Sequence, residues 1–499
     1  MNAATTIDLL PRLRADFLNR PQRLLIDGAW VDAASGETFD VIDPATGELL
    51  SRAALGKAAD IDRAVRAARA AFTRGPWASM PALGRAAKLQ ALASLIEANA
   101  DEIATIETID GGNPVGSTRH VDIAMAIASL RSAASWADKI TGEMPMQTSD
   151  ATGIAYITRE PVGVVGAITP WNAPFLMAVN KISPALAMGC TVVLKPAELS
   201  PLSAIRLGEL IIEAGFPAGV VNIVTGFGAE AGQALADHPD VNKISFTGST
   251  RVGRSILAAA GGNMKRVTLE LGGKSPIVVL EDADIEAAAA AIAREICFKT
   301  GQFCAAGTRL IVAAGAHDRL VAAIAKAMEG VTAGHGLDEG SHMGPIISET
   351  QLERVLGYIE AGRAAGATVV TGGRRIARPG FFVEPTLLTG VTPGMSVFRD
   401  EIFGPVLAVT TVADAADLDA IAALANDTDY GLAAKVWTKD IARAHGLARR
   451  IQAGQVIVNG GGPATSLPFG GFKQSGIGRE GGREGALSYT EIKAVSIGF

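Results

Sequence analysis

The sequence predicts an α/β protein built on parallel sheets. Two observations carry this expectation. Across residues 162–271 short β-rich runs alternate with helical segments, the pattern of a parallel sheet covered on both faces. After 271 the alternation resumes and gives a second α/β unit ending near Gly471. Ligands of such sheets collect beyond the C-terminal strand ends, so residues that follow strands are the first place to look for chemistry.

The elements follow in chain order. Asp60–Phe72, Ala82–Ala98, Asp101–Asp110 and Thr118–Lys139 carry apolar residues three and four apart and read as helices. The polar stretch Thr141–Thr152 breaks that pattern, and Gly153–Arg159 alternates as a strand does. Val162–Thr169 is a strand, Phe175–Met188 a mostly apolar helix containing Pro184, and Thr191–Lys195 a strand. Leu202–Ala214 is a helix, with Ser200 as N-cap, Pro201 at its first position and Gly215 as its stop. Val220–Val224, Lys243–Thr247 and Val267–Leu271 are strands, and Glu230–Asp237 and Thr250–Ala260 the helices between them. In the second unit Pro276–Leu280, Thr308–Ala313 and Ala367–Thr371 are strands; Ile285–Phe298, His317–Met328 and Glu349–Ala365 are helices. A last strand-like run, Ile492–Ile497, follows a Gly-rich loop.

Composition narrows the function. With 499 residues the chain has room for two large domains or three smaller ones. Hydrophobic residues at 48% and charged residues at 19% exclude global disorder, and 57 glycines without a period exclude collagen. A net charge of -6 argues against nucleic acid as a partner, though one helix terminus suffices to hold a nucleotide. Three cysteines cannot form a disulfide framework and fit a reducing compartment. Residues 1–23 include Asp8, Arg12, Arg14, Asp16 and Arg20 with no apolar core, so no secretory leader is expected. The wholly apolar run Ala287–Ala293 is far short of the ~20 residues of a membrane span. A cytoplasmic protein with no membrane partner is the expectation. No C-x-x-C or H-E-x-x-H occurs, and the six histidines are scattered, so no metal is expected.

Cys297 falls inside a helix and Cys190 at a helix-to-strand corner, both positions for packing. Cys304 differs: it lies in Thr300-Gly301-Gln302-Phe303-Cys304-Ala305-Ala306-Gly307, a glycine-bounded loop open to a substrate carbonyl. It reads either as a nucleophile in need of an activating base or dipole, or as a plain loop residue. Glu270 projects opposite Leu269 and Leu271 at a strand end before Gly272-Gly273; it is a second candidate, or a solvated carboxylate. Asn172, held between Pro170 and Pro174 past the first strand of the series, is a candidate oxyanion donor or an Asx turn. Lys195 and Glu198 follow the second strand, where ribose hydroxyls are read in dinucleotide-binding sheets. The run Gly226–Gly232, which contains Gly228, misses the G-x-G-x-x-G fingerprint by one residue. Gly248-Ser249-Thr250-Arg251-Val252-Gly253 follows a strand and opens a helix, so its amides can meet a pyrophosphate.

Together these segments resemble the NAD(P)-dependent aldehyde dehydrogenase superfamily. The resemblance is carried by Pro170-Trp171-Asn172, Lys195-Pro196-Ala197-Glu198, Phe246-Thr247-Gly248-Ser249-Thr250, Leu269-Glu270-Leu271-Gly272-Gly273-Lys274, Gly301-Gln302-Phe303-Cys304, Glu401-Ile402-Phe403-Gly404-Pro405 and Pro468-Phe469-Gly470-Gly471. It implies a Rossmann-like cofactor domain, an α/β catalytic domain and a small β oligomerisation arm. The division would be 1–142 with 162–271 for NAD binding, 272–471 for catalysis, and 143–161 with 483–499 for the arm. It implies Cys304 as nucleophile, Asn172 as oxyanion donor and Glu270 as the base that hydrolyses a thioester. For the cofactor it implies Lys195 and Glu198 at the adenosine ribose and Gly248 and Ser249 near the pyrophosphate, with Gly228 also among the cofactor-binding residues. Trp171 and Val252 would line the site, Glu401 would meet the nicotinamide ribose, and Phe403 the nicotinamide. Glu198 favours NAD by repelling a 2′-phosphate, and Lys195 leaves NADP possible.

Ala173 and Asn180 stand where many relatives carry bulky aromatics, and Asn459–Thr465 is small and Gly-rich. A roomy pocket for a bulky or oxygenated aldehyde is therefore expected, with Asn180 adding polarity if it points inward. The arm implies a homodimer or homotetramer, since an open edge strand needs a partner. Two rival activities share the thiol: a CoA-acylating semialdehyde dehydrogenase, in which the water-activating Glu is typically missing, and an NAD-independent thiol esterase.

Overall fold

The computed structural model describes residues 9–144, 153–462 and 466–498. The expectations for residues 1–8, for 145–152 of the arm and for Pro463-Ala464-Thr465 lie outside the described residues.

A reversal of strand order organises the first sheet. From edge to edge its eight strands are Gly476–Ile477, Arg266–Glu270, Lys243–Thr247, Val164–Ile168, Thr191–Lys195, Val221–Ile223, Leu24–Ile26 and Ala29–Val31. The five central strands are parallel, and the outer ones pair antiparallel. The chain enters at Val164–Ile168, builds outward through 191 and 221, then returns to the other side through 243 and 266. That return makes a crevice at the C-terminal ends of Val164–Ile168 and Lys243–Thr247, the topological switch point where ligands bind in such sheets.

Period-2 alternation decides which side chains meet which helices. Val164, Ile168, Val193 and Ile244 face the helices Ala58–Arg74 and Thr250–Ala260, packing on Ile61, Ala64, Val65, Ala68 and Ile256. Val165, Ala167, Val192 and Leu194 face the helices Ala82–Ala98, Ala124–Trp136, Pro174–Ala187 and Leu202–Glu213. Both faces are covered, so these strands read as continuous Val/Ile/Ala runs.

The second sheet has the order Thr368–Thr371, Thr386–Thr389, Val406–Val412, Gly307–Ala313, Ser275–Val279, Ala433–Trp437 and Gln455–Val458. All neighbours are parallel except the first two. Glu270 ends a strand of the first sheet and Ser275 begins a strand of the second. Only Leu271, Gly272, Gly273 and Lys274 join them. The C-terminal edge of one sheet is thereby linked directly to the N-terminal edge of the other. Gly153–Pro161 and Thr490–Gly498 form a separate antiparallel ribbon, with Thr490 opposite Pro161 and Gly498 opposite Gly153.

Most expected elements stand within two residues of their expected ends. The differences have local causes. The expected helix Thr118–Lys139 begins as a π-helical turn, Thr118–Ile123, before the α-helix Ala124–Trp136. Ser200 does not cap the next helix: its hydroxyl donates to Trp171 O at 2.9 Å, and Asp110 Oδ2 accepts from Leu202 N at 2.7 Å instead. A buried carboxylate from another helix has taken the role that sequence adjacency suggested for a serine.

Candidate active site

A cavity of about 710 Å³ opens at the switch point and continues to the N-terminal edge of the second sheet. Its wall brings together Trp171, Asn172, Gly248, Ser249, Cys304, Glu401 and Phe403. Glu270, Lys195, Glu198, Gly228 and Val252 are not in that wall.

Cys304 follows the helix Ile285–Cys297 and precedes the strand Gly307–Ala313. The loop between them is bent by three successive left-handed residues, Lys299, Thr300 and Gly301, at φ 50°, 57° and 67°. Gln302 anchors it: its Oε1 accepts from Ile347 N at 3.0 Å. The Gln302 carbonyl accepts from Asn172 Nδ2 at 2.8 Å, which ties the amide to the cysteine loop and leaves its second N–H free. Burial pushes the Cys304 thiol up to about 12, with Glu401 and Glu270 adding to it and the N–H groups of Ala305 and Cys304 opposing. Cys190 and Cys297 are buried, and Cys190 Sγ donates to Tyr489 O at 3.4 Å.

Glu270 is 3% exposed, and neither carboxylate oxygen has a hydrogen-bond partner among the described residues. Its Oε1 lies against Gly470, where a Cβ would sit 2.8 Å away. Behind it Lys181 Nζ pairs with Glu480 Oε1 at 2.6 Å, and Ser245 Oγ donates to the same oxygen at 3.1 Å. Burial first, then the Glu480 charge, hold the Glu270 carboxyl well above its ordinary range, while Lys181 and Arg479 oppose.

Glu401 and Phe403 come from the loop before the strand Val406–Val412. Gln351 and Arg354, on the helix Glu349–Ala364, fasten that loop. Gln351 Nε2 donates to Phe403 O at 2.9 Å, and an Arg354 N–H donates to Glu401 O at 2.8 Å. Phe403 meets Trp171 edge-to-face with ring centroids 5.2 Å apart. Burial raises the Glu401 carboxyl to about 7, against a hydrogen bond from Gly273 N.

At the far edge Lys195 Nζ is 2.9 Å from Glu198 Oε2, and burial lowers its pKa. A Cβ on Gly232 would sit 3.9 Å from Lys195 Cδ, which places that pair beside the π-helical turn Gly228–Gly232. Ser249 caps the helix Thr250–Ala260 by accepting from Val252 N at 3.4 Å.

The other end of the cavity is largely apolar, with Met125, Leu176, Met177, Phe298, Phe303, Trp437, Ile457 and Phe469, and it includes Gly460, Gly461 and Gly462. Asn180 is not part of it. Along the helix Pro174–Ala187 the wall stops at Met177; Asn180 is about one turn, or ~5 Å, further on. Sequence reasoning overlooked Gln351, Arg354, Lys181, Glu480, Asp122 and Lys299. Of these only Lys181 had a signal, as the one charged residue in the mostly apolar helix Pro174–Ala187.

The chain matches the Aldehyde dehydrogenase family profile over residues 30–495. It is 47% identical over 481 residues to a mitochondrial aldehyde dehydrogenase of Leishmania tarentolae, covering 95% of this chain and 94% of that one. To aldehyde dehydrogenase 1A1 of Gallus gallus it is 44% identical over 500 residues, covering 99% and 97%. Among solved structures, an NAD+ complex of aldehyde dehydrogenase from Bacillus cereus superposes with a TM-score of 0.95 at 44% identity, covering 98% and 99%. A cysteine-to-alanine mutant of the P. syringae indole-3-acetaldehyde dehydrogenase AldA, in complex with NAD+ and IAA, gives a TM-score of 0.94 at 44% identity, covering 98% and 99%. With agreement across nearly the full length in both sequence and fold, the chain belongs to the aldehyde dehydrogenase family.

Proposed function

We propose that the protein oxidises an aldehyde to the carboxylic acid with NAD+, through a thioester on Cys304. The observation that carries this is the single cavity in which Cys304 and Asn172 share a wall with Trp171, Ser249, Glu401 and Phe403.

The residues present fit the cofactor. An aromatic pair, Trp171 and Phe403, and the Glu401 carboxylate suit a nicotinamide riboside. The N-terminus of Thr250–Ala260 suits a pyrophosphate. Glu198, held by Lys195, suits ribose hydroxyls over a 2′-phosphate. No residue at Gly228 would meet a protein atom within 4 Å of its Cβ, so that turn has open space above it.

The Cys304 thiol gives up its proton to the Glu270 carboxylate, which passes it to solvent, and Sγ attacks the aldehyde carbon and forms a C–S bond. The carbonyl oxygen becomes an oxyanion, which the free N–H of Asn172 Nδ2 and the Cys304 backbone N–H stabilise. NAD+ when bound supplies the acceptor for the hydride that leaves this carbon. Glu270 takes a proton from water, the water oxygen attacks the thioester, and the acid and the Cys304 thiolate are released. To reach that water Glu270 rotates away from Gly470 toward the cavity. Its two oxygens have no hydrogen bonds to break, so the rotation costs little. Hydrolysis by water is favoured over transfer to CoA because this carboxyl is present.

The apolar, roomy end of the cavity supports a bulky aldehyde. Its polarity does not come from Asn180. The division into a cofactor domain (1–142, 162–271), a catalytic domain (272–471) and an arm (143–161, 483–499) is supported by the two sheets and the separate ribbon. The chain crosses back after 471, since Gly476–Ile477 joins the first sheet beside Arg266–Glu270. The ribbon leaves Ile492 and Ile497 exposed on an open ladder, which supports a homodimer or homotetramer. The free thiols suit the cytoplasm, and among the described residues no helix is long and apolar enough to cross a membrane.

NADH absorbance with an aldehyde panel, with and without CoA, tests the activity. Oxidation of a bulky aldehyde without CoA is the expected result. A strict CoA requirement would overturn the hydrolytic reading, and turnover of every substrate without NAD would overturn the oxidation.

A further inference from the structure

The ammonium of Lys299 joins two segments that are far apart in sequence. Its Nζ lies 2.8 Å from Asp122 Oδ2 and donates to Asn172 O at 3.0 Å. Asp122 belongs to the π-helical turn Thr118–Ile123 and is buried, as is Lys299. Both line the cavity. The backbone of Lys299 meanwhile begins the left-handed run that delivers Cys304. Such conformations at Lys299 and Thr300 are disfavoured for residues with a Cβ and persist where the surroundings hold them. Thr300 Oγ1 helps, donating to Gly344 O at 2.9 Å.

A neighbouring carboxyl holds the same segment from the other side. Glu107 Oε2 accepts from Phe175 N at 3.0 Å, at the start of the helix that follows Asn172. Burial raises Glu107 to about 8, with the Asp122 charge adding to it.

Buried ion pairs are a poor source of stability, because desolvation offsets their attraction. The Lys299–Asp122 pair is therefore better explained by what it orients. Its ammonium is engaged by a carboxylate and a carbonyl, so it is not a free cation for substrate.

We propose that Lys299, held by Asp122, is a positioning residue that aims the Asn172 amide at the oxyanion formed on the Cys304 adduct. The proposal rests on the roles given above to Cys304 and Asn172. Oxyanion donors act by being fixed before charge develops, and an ammonium that grips the Asn172 carbonyl from the Cys304 loop fixes donor and sulfur in one frame.

The test is a double-mutant cycle on the pre-steady-state burst of NADH at saturating aldehyde. NAD affinity is measured in parallel by quenching of protein fluorescence. Lys299→Met is expected to slow the burst about ten- to hundredfold, with NAD affinity within about twofold of wild type. Asn172→Ala is expected to slow it about a hundred- to a thousandfold. Lys299→Met added to Asn172→Ala is expected to slow it no more than about twofold further, because the amide to be aimed is gone. Multiplicative losses in the double variant would overturn the proposal, as would a wild-type burst in Lys299→Met beside a slow Asn172→Ala. A wild-type burst in Asn172→Ala would overturn the oxyanion reading itself. Should Lys299→Met alone fail to fold around an unpaired Asp122, the neutral pair Asp122→Asn with Lys299→Met takes its place in the cycle, with the same outcomes deciding.

Discussion

The Gly273 N–H donates to Glu401 Oε1 at 3.0 Å, bringing a carboxylate from 128 residues downstream onto the link between the two sheets. The fit is close, since a Cβ on Gly272 would come 2.2 Å from Glu401 Oε2.

Gly272→Ala should therefore displace the Glu401 carboxylate without disturbing either sheet. The expected result is a fall in kcat of about tenfold to a hundredfold, the scale of an ångström-sized misplacement. The melting temperature should change by only a few degrees. Steady-state kinetics beside thermal melts check this, and unchanged kinetics would remove Glu401 from the mechanism.

Cys304→Ala should abolish aldehyde oxidation while leaving NAD binding intact, because it removes the atom that makes the covalent bond. Glu270→Gln should give one burst of NADH per subunit and then stall at the thioester. Stopped-flow absorbance distinguishes the two. Steady turnover by Glu270→Gln would require another base.

Both chemical groups should show their raised pKa values in pH profiles. A thiol pushed up to about 12 is almost wholly protonated at neutral pH. Alkylation of Cys304 by iodoacetamide in NAD-free enzyme should accordingly be slow at pH 7 and climb steadily through pH 10. Glu270 must be ionised to accept a proton, and its carboxyl titrates above the ordinary range. Thioester hydrolysis should then weaken, as pH is lowered, before the range near ~4.3 in which an ordinary Glu titrates. A deacylation rate that held level down to the ordinary carboxylate range would contradict this assignment.

Lys181→Met should move that same limb to higher pH, because Lys181 favours the ionised form of Glu270. It also leaves Glu480 buried without its cation, a loss of about 3–5 kcal/mol. A pH–rate profile and a melt of the same variant read both effects.

Glu198→Gln should narrow the preference for NAD over NADP. The substitution removes the charge that repels a 2′-phosphate and frees Lys195 to attract it. The ratio of kcat/KM for the two cofactors measures it, and no change would place the adenosine ribose elsewhere.

The parallel alternation was legible because each strand–helix unit is local, and Thr191–Lys195, Lys243–Thr247 and Thr250–Ala260 coincide with their expected limits. Cys304 and Asn172 were legible as candidates because unusual residues flank them, glycines for one and prolines for the other. What supports them was not. Lys181 meets Glu480 across 299 positions, and Asp110 caps a helix 92 positions away. Such contacts leave no period or spacing in the sequence, only a charge in an apolar stretch. Asn180 was singled out by the family pattern, which gives a position on a helix but not how far along that helix a cavity extends; here the wall stops at Met177.

The link Leu271–Lys274 gives the crevice an intrinsic gauge. A Cβ on Gly273 would lie 2.5 Å from the Cys304 carbonyl oxygen, so the glycine that steadies Glu401 also lies close against the sulfur-bearing loop. A side chain at either of these adjoining positions would crowd a different partner, the Glu401 carboxylate from Gly272 and the Cys304 loop from Gly273, so neighbouring peptide units hold the two segments in register.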